Sequence, residues 1–512
     1  EPKLRDRQER AVALRLRRKL ARWTPEHVRQ TREFAQLLQD KAVTPDSAEA
    51  LQTLPRLTRQ DLPSKVKPLP LVRGSFANGL RWQRGEVFHN GISRARFLGD
   101  ASGIPVEQTL HAGRLMALLP LLGNATQSYE AAAAERARLG VSYTLAFTES
   151  SRPDSPAPYR LMEISFSGLD RNYAAGLEIL RRQLDTVVFT ERKRLVEILR
   201  QGAAKATAAL ATRKNLVNCK SRAGVGIAPS GSLVEAINGF TGYLELQRLG
   251  KLTEGELDDF CEALRQCAAT IRTLPLFACG FVGADECLAA TEKFTDSFSI
   301  VARPQLFVPP KGIGPQLEPA VGRHEFCAIN TQVSTCARVF AAPHRTEEGS
   351  MALKVLTGFL SVGYLWDEIR AKGGAYGTGF AYNDLDCIAC LSSTEDPKAR
   401  NTYRVFDALP DYLRKHTFTE REVGQAVLSA AGGFLRPDRP AELCIMAANH
   451  LWHDRTEEER QREFEALLAI TPREVKEVAN RFFDPQSARY NDCAAGPASA
   501  AIAGFTPISL KG

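Results

Sequence analysis

Apolar residues recur at helical spacing near the start of the chain. Leu4, Val12, Leu16 and Leu20 stand among charged side chains, which predicts an amphipathic helix over 4–23. Thr24-Pro25-Glu26 then offers a cap, a proline at the first helical position and an acid in the first turn, so a second helix is predicted to about Gln39. Thr44-Pro45-Asp46 opens a short third helix carrying Ala48 and Leu51, and prolines punctuate the chain from Pro55 to Pro63. Residues 1–63 therefore read as a helical hairpin and connector without a core of their own.

Beyond the proline-rich stretch 63–70 the pattern changes. Short β-prone runs at 92–98 and 161–166 are interspersed with helical patterns at about 105–122, 126–139, 171–183, 190–213, 231–249 and 254–272. The Pro/Gly-rich run 304–319, with Pro309-Pro310 and Gly312-Ile-Gly314, marks a boundary. A second block opens with a Val/Thr/Cys-rich run over 326–340. A strongly apolar helix is predicted over 347–372, with Leu353, Leu356, Leu360 and Tyr364 on one face, followed by a strand pair at 375–382 and 387–392. Helices near 398–415, 418–433, 438–452, 456–469 and 471–482 complete it. Both blocks run strand, long helix, strand, helices, an order compatible with a distant internal duplication. The expected organisation is a hairpin (1–63), a first α+β domain (64–303), a linker (304–322) and a second α+β domain (323–512), each with helices over one face of a sheet.

At 512 residues, two large domains and an accessory segment are the natural division. Hydrophobic residues make up 44% and charged residues 25%, the composition of ordinary globular proteins. No stretch reaches the roughly 18–20 continuous apolar residues of a membrane-spanning helix, so a soluble protein without membrane attachment is expected. The eleven cysteines lack a regular spacing, which points away from a secreted disulfide framework and towards a reducing compartment. Of the net charge of +8, most arises in residues 1–32, where eleven Lys/Arg face four acids. Such an opening suits a transit peptide, a nucleic-acid arm or a solvated helix face. The interspersed acids favour the last, and the absence of interleaved aromatics speaks against nucleic acid. The start at Glu1 rather than Met suggests a processed or excised polypeptide.

The run 365–377 is the most informative for chemistry. A buried helix ends in Arg370 and Lys372, Gly373-Gly374 supplies a left-handed stop, and the chain turns directly into a strand. Arg370 then sits on the last helical turn and Tyr376 at the first strand position. A guanidinium fork and a phenol so placed can hold peptide carbonyls or stabilise an oxyanion. Spacing alone favours the other arrangement, a C-capping arginine and a core tyrosine. Gly374 to Gly379 has the glycines of a phosphate loop, but such loops run from strand to helix and this one runs from helix to strand. His450 and His453 are the only close histidine pair and read as part of a surface helix. Cys387 and Cys390 read as ordinary thiols on opposite faces of a strand.

The segment Gly363-Tyr-Leu-Trp-Asp-Glu-Ile-Arg-Ala-Lys-Gly-Gly-Ala-Tyr-Gly-Thr-Gly379 resembles the signature of the last domain in presequence proteases of the pitrilysin/insulinase family, inverzincins whose metal motif is H-x-x-E-H. Thr394-Glu-Asp-Pro397, the run 419–483 and the connector around Asp46-Ser47, Thr53 to Leu57 and Asp61 are similar to the same group. The sequence departs from it at Arg222-Ala-Gly-Val-Gly226, where Gly-His is expected, and at Thr394-Glu395, where Tyr-Arg is usual. The resemblance implies the C-terminal half of a zinc metalloendopeptidase built from two pitrilysin-type α/β-roll domains, which encloses and degrades short unstructured peptides such as cleaved targeting presequences. It further implies that zinc is bound by an N-terminal partner half and not by this chain, since none of the eight histidines belongs to an H-x-x-E-H run. Arg370 would then grip a substrate carbonyl, Tyr376 would support the tetrahedral oxyanion, and Gly374 would complete the substrate site. A mitochondrial or plastid matrix, or a bacterial cytoplasm, is the implied location. The other reading is a non-catalytic scaffold subunit of the same fold, for which Arg370 and Tyr376 would have no use.

Overall fold

The computed structural model describes residues 2–44, 46–210, 212, 215–228, 230–307, 321–435 and 439–510. The chain divides into two units, Glu1–Leu57 and Thr58–Gly512.

The first unit holds α1 (Pro2–Leu20), α2 (Pro25–Val43) and α3 (Ala48–Gln52). Thr24 caps α2 by accepting from the His27 N–H at 3.2 Å, but the helix runs past Gln39 to Val43. Thr44 does not start α3. Its N–H and hydroxyl close the end of α2 on the Asp40 carbonyl, and Ser47 is the cap that accepts from Ala50. Pro45 lies outside the described residues. No described residue of this unit is buried.

The second unit contains two six-stranded sheets. The first comprises β1 (Leu71–Ser75), β2 (Arg81–Gly85), β3 (Ile92–Asp100), β4 (Val141–Arg152), β5 (Ser155–Leu169) and β6 (Leu276–Val282), in the order β1-β2-β6-β3-β5-β4. The second comprises β7 (His324–Ala328), β8 (Ser334–Ala341), β9 (Gly377–Asn383), β10 (Ile388–Asp396), β11 (Tyr490–Gly496) and β12 (Thr506–Ile508), in the order β12-β7-β11-β8-β10-β9. The plan is repeated. A central strand, β3 or β8, pairs antiparallel with a hairpin strand, β5 or β10, and with a late strand, β6 or β11. That late strand runs parallel to β2 or β7.

Helices α4 (Thr109–Leu118), α5 (Tyr129–Leu139), α6 (Tyr173–Thr186), α7 (Arg192–Leu210), α8 (Asn215–Gly224), α9 (Gly231–Asn238), α10 (Phe240–Leu249), α11 (Glu254–Thr273) and α12 (Asp285–Thr295) accompany the first sheet in sequence. The second is accompanied by α13 (Ser350–Val362), α14 (Ala399–Lys415), α15 (Glu420–Ala431), α16 (Pro440–Trp452), α17 (Glu457–Ala469) and α18 (Pro472–Phe482). The fold is thus α+β. Phe97, Leu115, Ile164, Phe166, Tyr173, Leu264 and Phe281 centre one core, and Phe340, Leu353, Leu356, Leu391, Phe406 and Phe464 centre the other.

The opposite face of each sheet is covered by one helix from the other half. Leu451 and Trp452 of α16 pack on Leu98, Leu161 and Phe277 of the first sheet. Cys219 and Ala223 of α8 pack on Cys327, Val339, Cys390 and Cys493 of the second. Backbone approach beneath α16 is so close that a Cβ at Gly280 would stand 2.3 Å from the Cys444 carbonyl oxygen. This exchange corrects the surface-helix reading of His450 and His453. His450 is 7% exposed, because α16 is sandwiched rather than solvated.

Other differences have local causes. The predicted helix 231–249 breaks at Gly239, because the Glu235 carboxylate folds back to accept from the Thr241 N–H and hydroxyl and fills the space a Cβ would need. The predicted helix 347–372 starts only after Gly349, at φ +87°, and breaks at Gly363. The expected elements omit strands β1, β2, β4, β6, β11 and β12 and helices α8 and α12. Most of these are short. Strand β4 is the exception, since Val141, Tyr143, Leu145 and Phe147 alternate with small or polar residues in a period of two. Of the predicted linker, residues 308–320 lie outside the described residues.

Candidate functional site

After the break at Gly363 the chain forms a π-helical turn, Trp366–Ala371, in which the Lys372 N–H reaches back to the Asp367 carbonyl at 3.0 Å. Such turns are uncommon and are found at functional sites more often than elsewhere. The turn ends on hydrogen bonds from Gly374 to the Arg370 carbonyl (2.9 Å) and from Ala375 to the Ile369 carbonyl (3.1 Å). Gly374 adopts φ +85°, a region where a side chain is strained. A Cβ at Gly373 would stand 2.3 Å from the Ile369 carbonyl oxygen. The glycine pair is therefore required twice, once for hand and once for room.

Buried Ile369 and Ala375 anchor the corner, and Tyr376 emerges from it 52% exposed. Arg370 donates from Nη1 to the Tyr376 carbonyl at 2.7 Å. Its guanidinium lies over the Trp366 ring at 4.1 Å from the centroid and 5.4 Å from that of Tyr376. The Tyr376 N–H faces the carbonyl of Glu395, which takes φ +48° where β10 departs from regular pairing with β8. The structure thus brings Arg370, Gly374 and Tyr376 together, with Thr394-Glu395 alongside. Trp366 belongs to the same group, although sequence reasoning does not single it out. Its one signal is its place four residues before Arg370.

The first half contains a related corner. α5 ends at Gly140, φ +64°, and Arg136, four residues before it, donates to the Tyr143 hydroxyl at 3.4 Å and to the Pro120 carbonyl at 2.6 Å. Tyr143 is only 4% exposed, so this tyrosine serves the core, whereas Tyr376 faces solvent. The two arrangements that spacing leaves open, core tyrosine and presented tyrosine, are both realised in one chain.

A cavity of about 1090 Å³ lies elsewhere, lined by Arg152, Arg345, His453, Asp454 and Glu463 among others. A second, of about 590 Å³, lies beside the corner and is lined by Glu368, Lys372, Lys398, Arg400 and Arg404. Neither is lined by Arg370 or Tyr376.

Among the described residues no group of three or more His, Cys, Asp or Glu is arranged to hold a metal ion, so the side chains here do not fit a zinc site. His450 and His453 are pushed down to about 4, chiefly by burial and then by neighbouring arginines, Arg455 for the first and Arg345 for the second. Cys387 is not on a strand as expected. It occupies the β9–β10 turn at φ +55°, while Cys390 is buried in β10. Burial pushes both thiols up to about 11, and the cysteines are unpaired. Arg222, at the departure 222–226, lies in the last turn of α8 and pairs with Glu325.

Two family models match the sequence, one for the segment associated with subfamily C of the M16 peptidases, over residues 1–249, and one described as "PreP C-terminal domain", over 324–493. Protein HypA of Clostridium perfringens is 22% identical over 451 residues, covering 86% of this chain and 45% of that protein. The mitochondrial presequence protease of Kluyveromyces lactis is 32% identical over 152 residues, covering 30% of this chain and 15% of the relative. The chain thus spans less than half the length of the curated relatives it matches. Among solved structures, the peptidase M16 inactive domain of Pseudomonas fluorescens superposes with a TM-score of 0.58 at 14% identity, covering 86% of this chain and all of that one. The periplasmic protease PqqL of Escherichia coli gives a TM-score of 0.53 at 14% identity, covering 85% of this chain and 46% of that one. At these identities the likeness concerns the fold.

Proposed function

The chain belongs with the C-terminal halves of M16 peptidases, and from that premise we propose that it is the non-metal half of a presequence-protease-like zinc endopeptidase. A zinc-binding N-terminal half, in the same polypeptide or as a separate subunit, is the proposed partner. Short unstructured peptides, cleaved targeting presequences among them, are the proposed substrates. The observation that carries this reading is the corner at Tyr376. The phenol of Tyr376 stands 52% exposed at the surface beside a pinned guanidinium, whereas its counterpart Tyr143 is buried.

In this reading Arg370 keeps its remaining N–H donors for a substrate carbonyl, since one donor is already spent on the Tyr376 backbone. The Tyr376 hydroxyl donates to the oxygen that gains negative charge as the peptide carbonyl becomes tetrahedral, a charge better held by a preorganised donor than by mobile water. Gly374 lets the strand begin close to that oxygen. The metal and the attacking water belong to the partner half, and no step is assigned to zinc on this chain. A mitochondrial matrix is the proposed setting, in line with the mitochondrial presequence proteases it resembles, with a bacterial cytoplasm as the other.

The test is to assay an unstructured fluorogenic peptide with the 512-residue chain alone and with a zinc-binding M16 half added. Cleavage only in the mixture, lost with a metal chelator, is expected. Robust hydrolysis by this chain alone, or a mixture indifferent to Arg370→Gln and Tyr376→Phe together, refutes the proposal and favours the scaffold reading.

A further inference from the structure

We infer that the open face of the first sheet, beside α16, is a binding site for the C-terminal carboxylate of a peptide, with Arg94 as its cation and four hydroxyls as its bed. The inference rests on the peptidase reading above and names the end of the substrate that this half holds.

Along β3, Arg94 and Arg96 alternate with the core residues Ala95 and Phe97, so both lie on the face turned away from that core. The strand register places Arg94 opposite Ser167 of β5, and Ser167 opposite Ser142 of β4. In the next such row Arg96, Ser165 and Thr144 follow one another. Side chains directly opposite on neighbouring strands stand about 5 Å apart, so each row sets one guanidinium beside two hydroxyls. These six residues line a cavity of about 190 Å³, walled by Ala441, Cys444 and Ile445 of α16. Among the described residues none of the four hydroxyls is hydrogen-bonded within the protein.

Arg96 is neutralised by Glu163 at 2.6 Å. Arg94 gives one donor to the Ile92 carbonyl at 3.0 Å and meets no carboxylate among the described residues. The face therefore keeps one positive charge and several unused donors, which complements a single carboxylate better than a dianion. A chain terminus fits better than a side chain in mid-chain, because the rows are open at one end only. β4 is the edge of the sheet, and Ser142 and Thr144 are exposed there, whereas at the other end α16 lies against β6. A peptide entering over β4 along a row must stop at that helix, and the group it brings there is its terminal carboxylate. Ile445, 40% exposed on the wall, leaves apolar surface for the last side chain.

Two unstructured peptides without Asp or Glu, labelled at the N-terminus, test the site. They are identical except that one ends in a free carboxylate and the other in an amide. Binding to the 512-residue chain is followed by anisotropy for the wild type, Arg94→Gln, Arg94→Lys and Ser167→Ala. The wild type should favour the free acid about ten-fold, the scale of hydrogen bonds to one charged group. Arg94→Gln should bring the ratio to within about two-fold and leave the affinity for the amide as it was, which also shows that the variant is folded. Arg94→Lys should retain most of the preference, and Ser167→Ala should lower it. A third probe, the amide with one internal Glu, should bind like the plain amide. A wild-type ratio near one, a ratio unchanged in Arg94→Gln, or no binding by either peptide overturns the site. Full affinity for the third probe overturns its assignment to the chain terminus. The peptidase reading fails separately: an acid preference that Arg94→Gln abolishes, in a chain whose mixture with a zinc-binding half cuts nothing, supports the carboxylate site and refutes that reading alone.

Discussion

Arg222 and Glu325 form a two-point ion pair, Nε at 2.8 Å and Nη2 at 2.6 Å from the carboxylate oxygens, joining helix α8 of the first half to strand β7 of the second. The two side chains are 17% and 11% exposed, and Glu235, 0% exposed, lies 3.8 Å from the same guanidinium. One arginine therefore faces carboxyl groups on both sides of the junction.

Removing that cation should be costly, because it strands charge in a buried place. Arg222→Met is expected to destabilise by about 3 kcal/mol, the scale found when one partner of a buried pair is deleted. Denaturant unfolding measures it, and a change below about 1 kcal/mol would show that the junction rests on α8 packing alone.

Tyr376→Phe in the assembled two-half enzyme should lower turnover by about ten-fold or more with little change in KM, since the hydroxyl is needed only as charge develops. Arg370→Lys should weaken binding as well, because an ammonium lacks the planar fork and the flat contact with Trp366. Unaltered kinetics in both variants would return the corner to a structural role.

Gly374→Ala tests the backbone alone. No steric clash awaits the methyl, whose nearest neighbour is Pro397 Cγ at 3.6 Å, but φ is +85°. A loss of about 1–2 kcal/mol is expected from the left-handed conformation, together with weaker peptide binding as the strand start shifts. Full stability and affinity in the variant would mean that the corner tolerates another backbone path.

Buried titratable groups set opposing pH dependences. His450 and His453, held near 4 in the fold, are neutral where the unfolded chain is protonated, so stability falls as pH drops from about 6.5 through 4. Glu235, pushed up to about 7 mainly by burial, stays protonated where the unfolded chain ionises. Its contribution is present below about 4.5 and is lost as pH rises through 7. His450→Gln should flatten the acid side of the stability profile and Glu235→Gln the neutral side. Profiles that superpose on the wild type would refute these protonation states.

Legibility from sequence followed the range of the forces involved. The caps at Thr253, Thr419, Thr456 and Thr471 each pair with a glutamate three residues on, and α11, α15, α17 and α18 begin where those local signals stand. Gly374 likewise takes the left-handed turn that its position after Arg370 and Lys372 implies. Strand β6 could not be read this way. It is buried at every residue, so its apolar run has no alternation to reveal it.

Sequence by itself determined the starts of α11, α15, α17 and α18, the α+β class and the proximity of Arg370, Gly374 and Tyr376, because these depend on residues within one or two turns of each other. Only the tertiary structure decided that α8 and α16 cross to the opposite sheets, that His450 is buried, and that Tyr376 faces solvent while Tyr143 does not. Those outcomes depend on which surfaces meet across hundreds of residues, and a side chain's exposure is a property of the neighbours that cover it rather than of its own spacing along the chain.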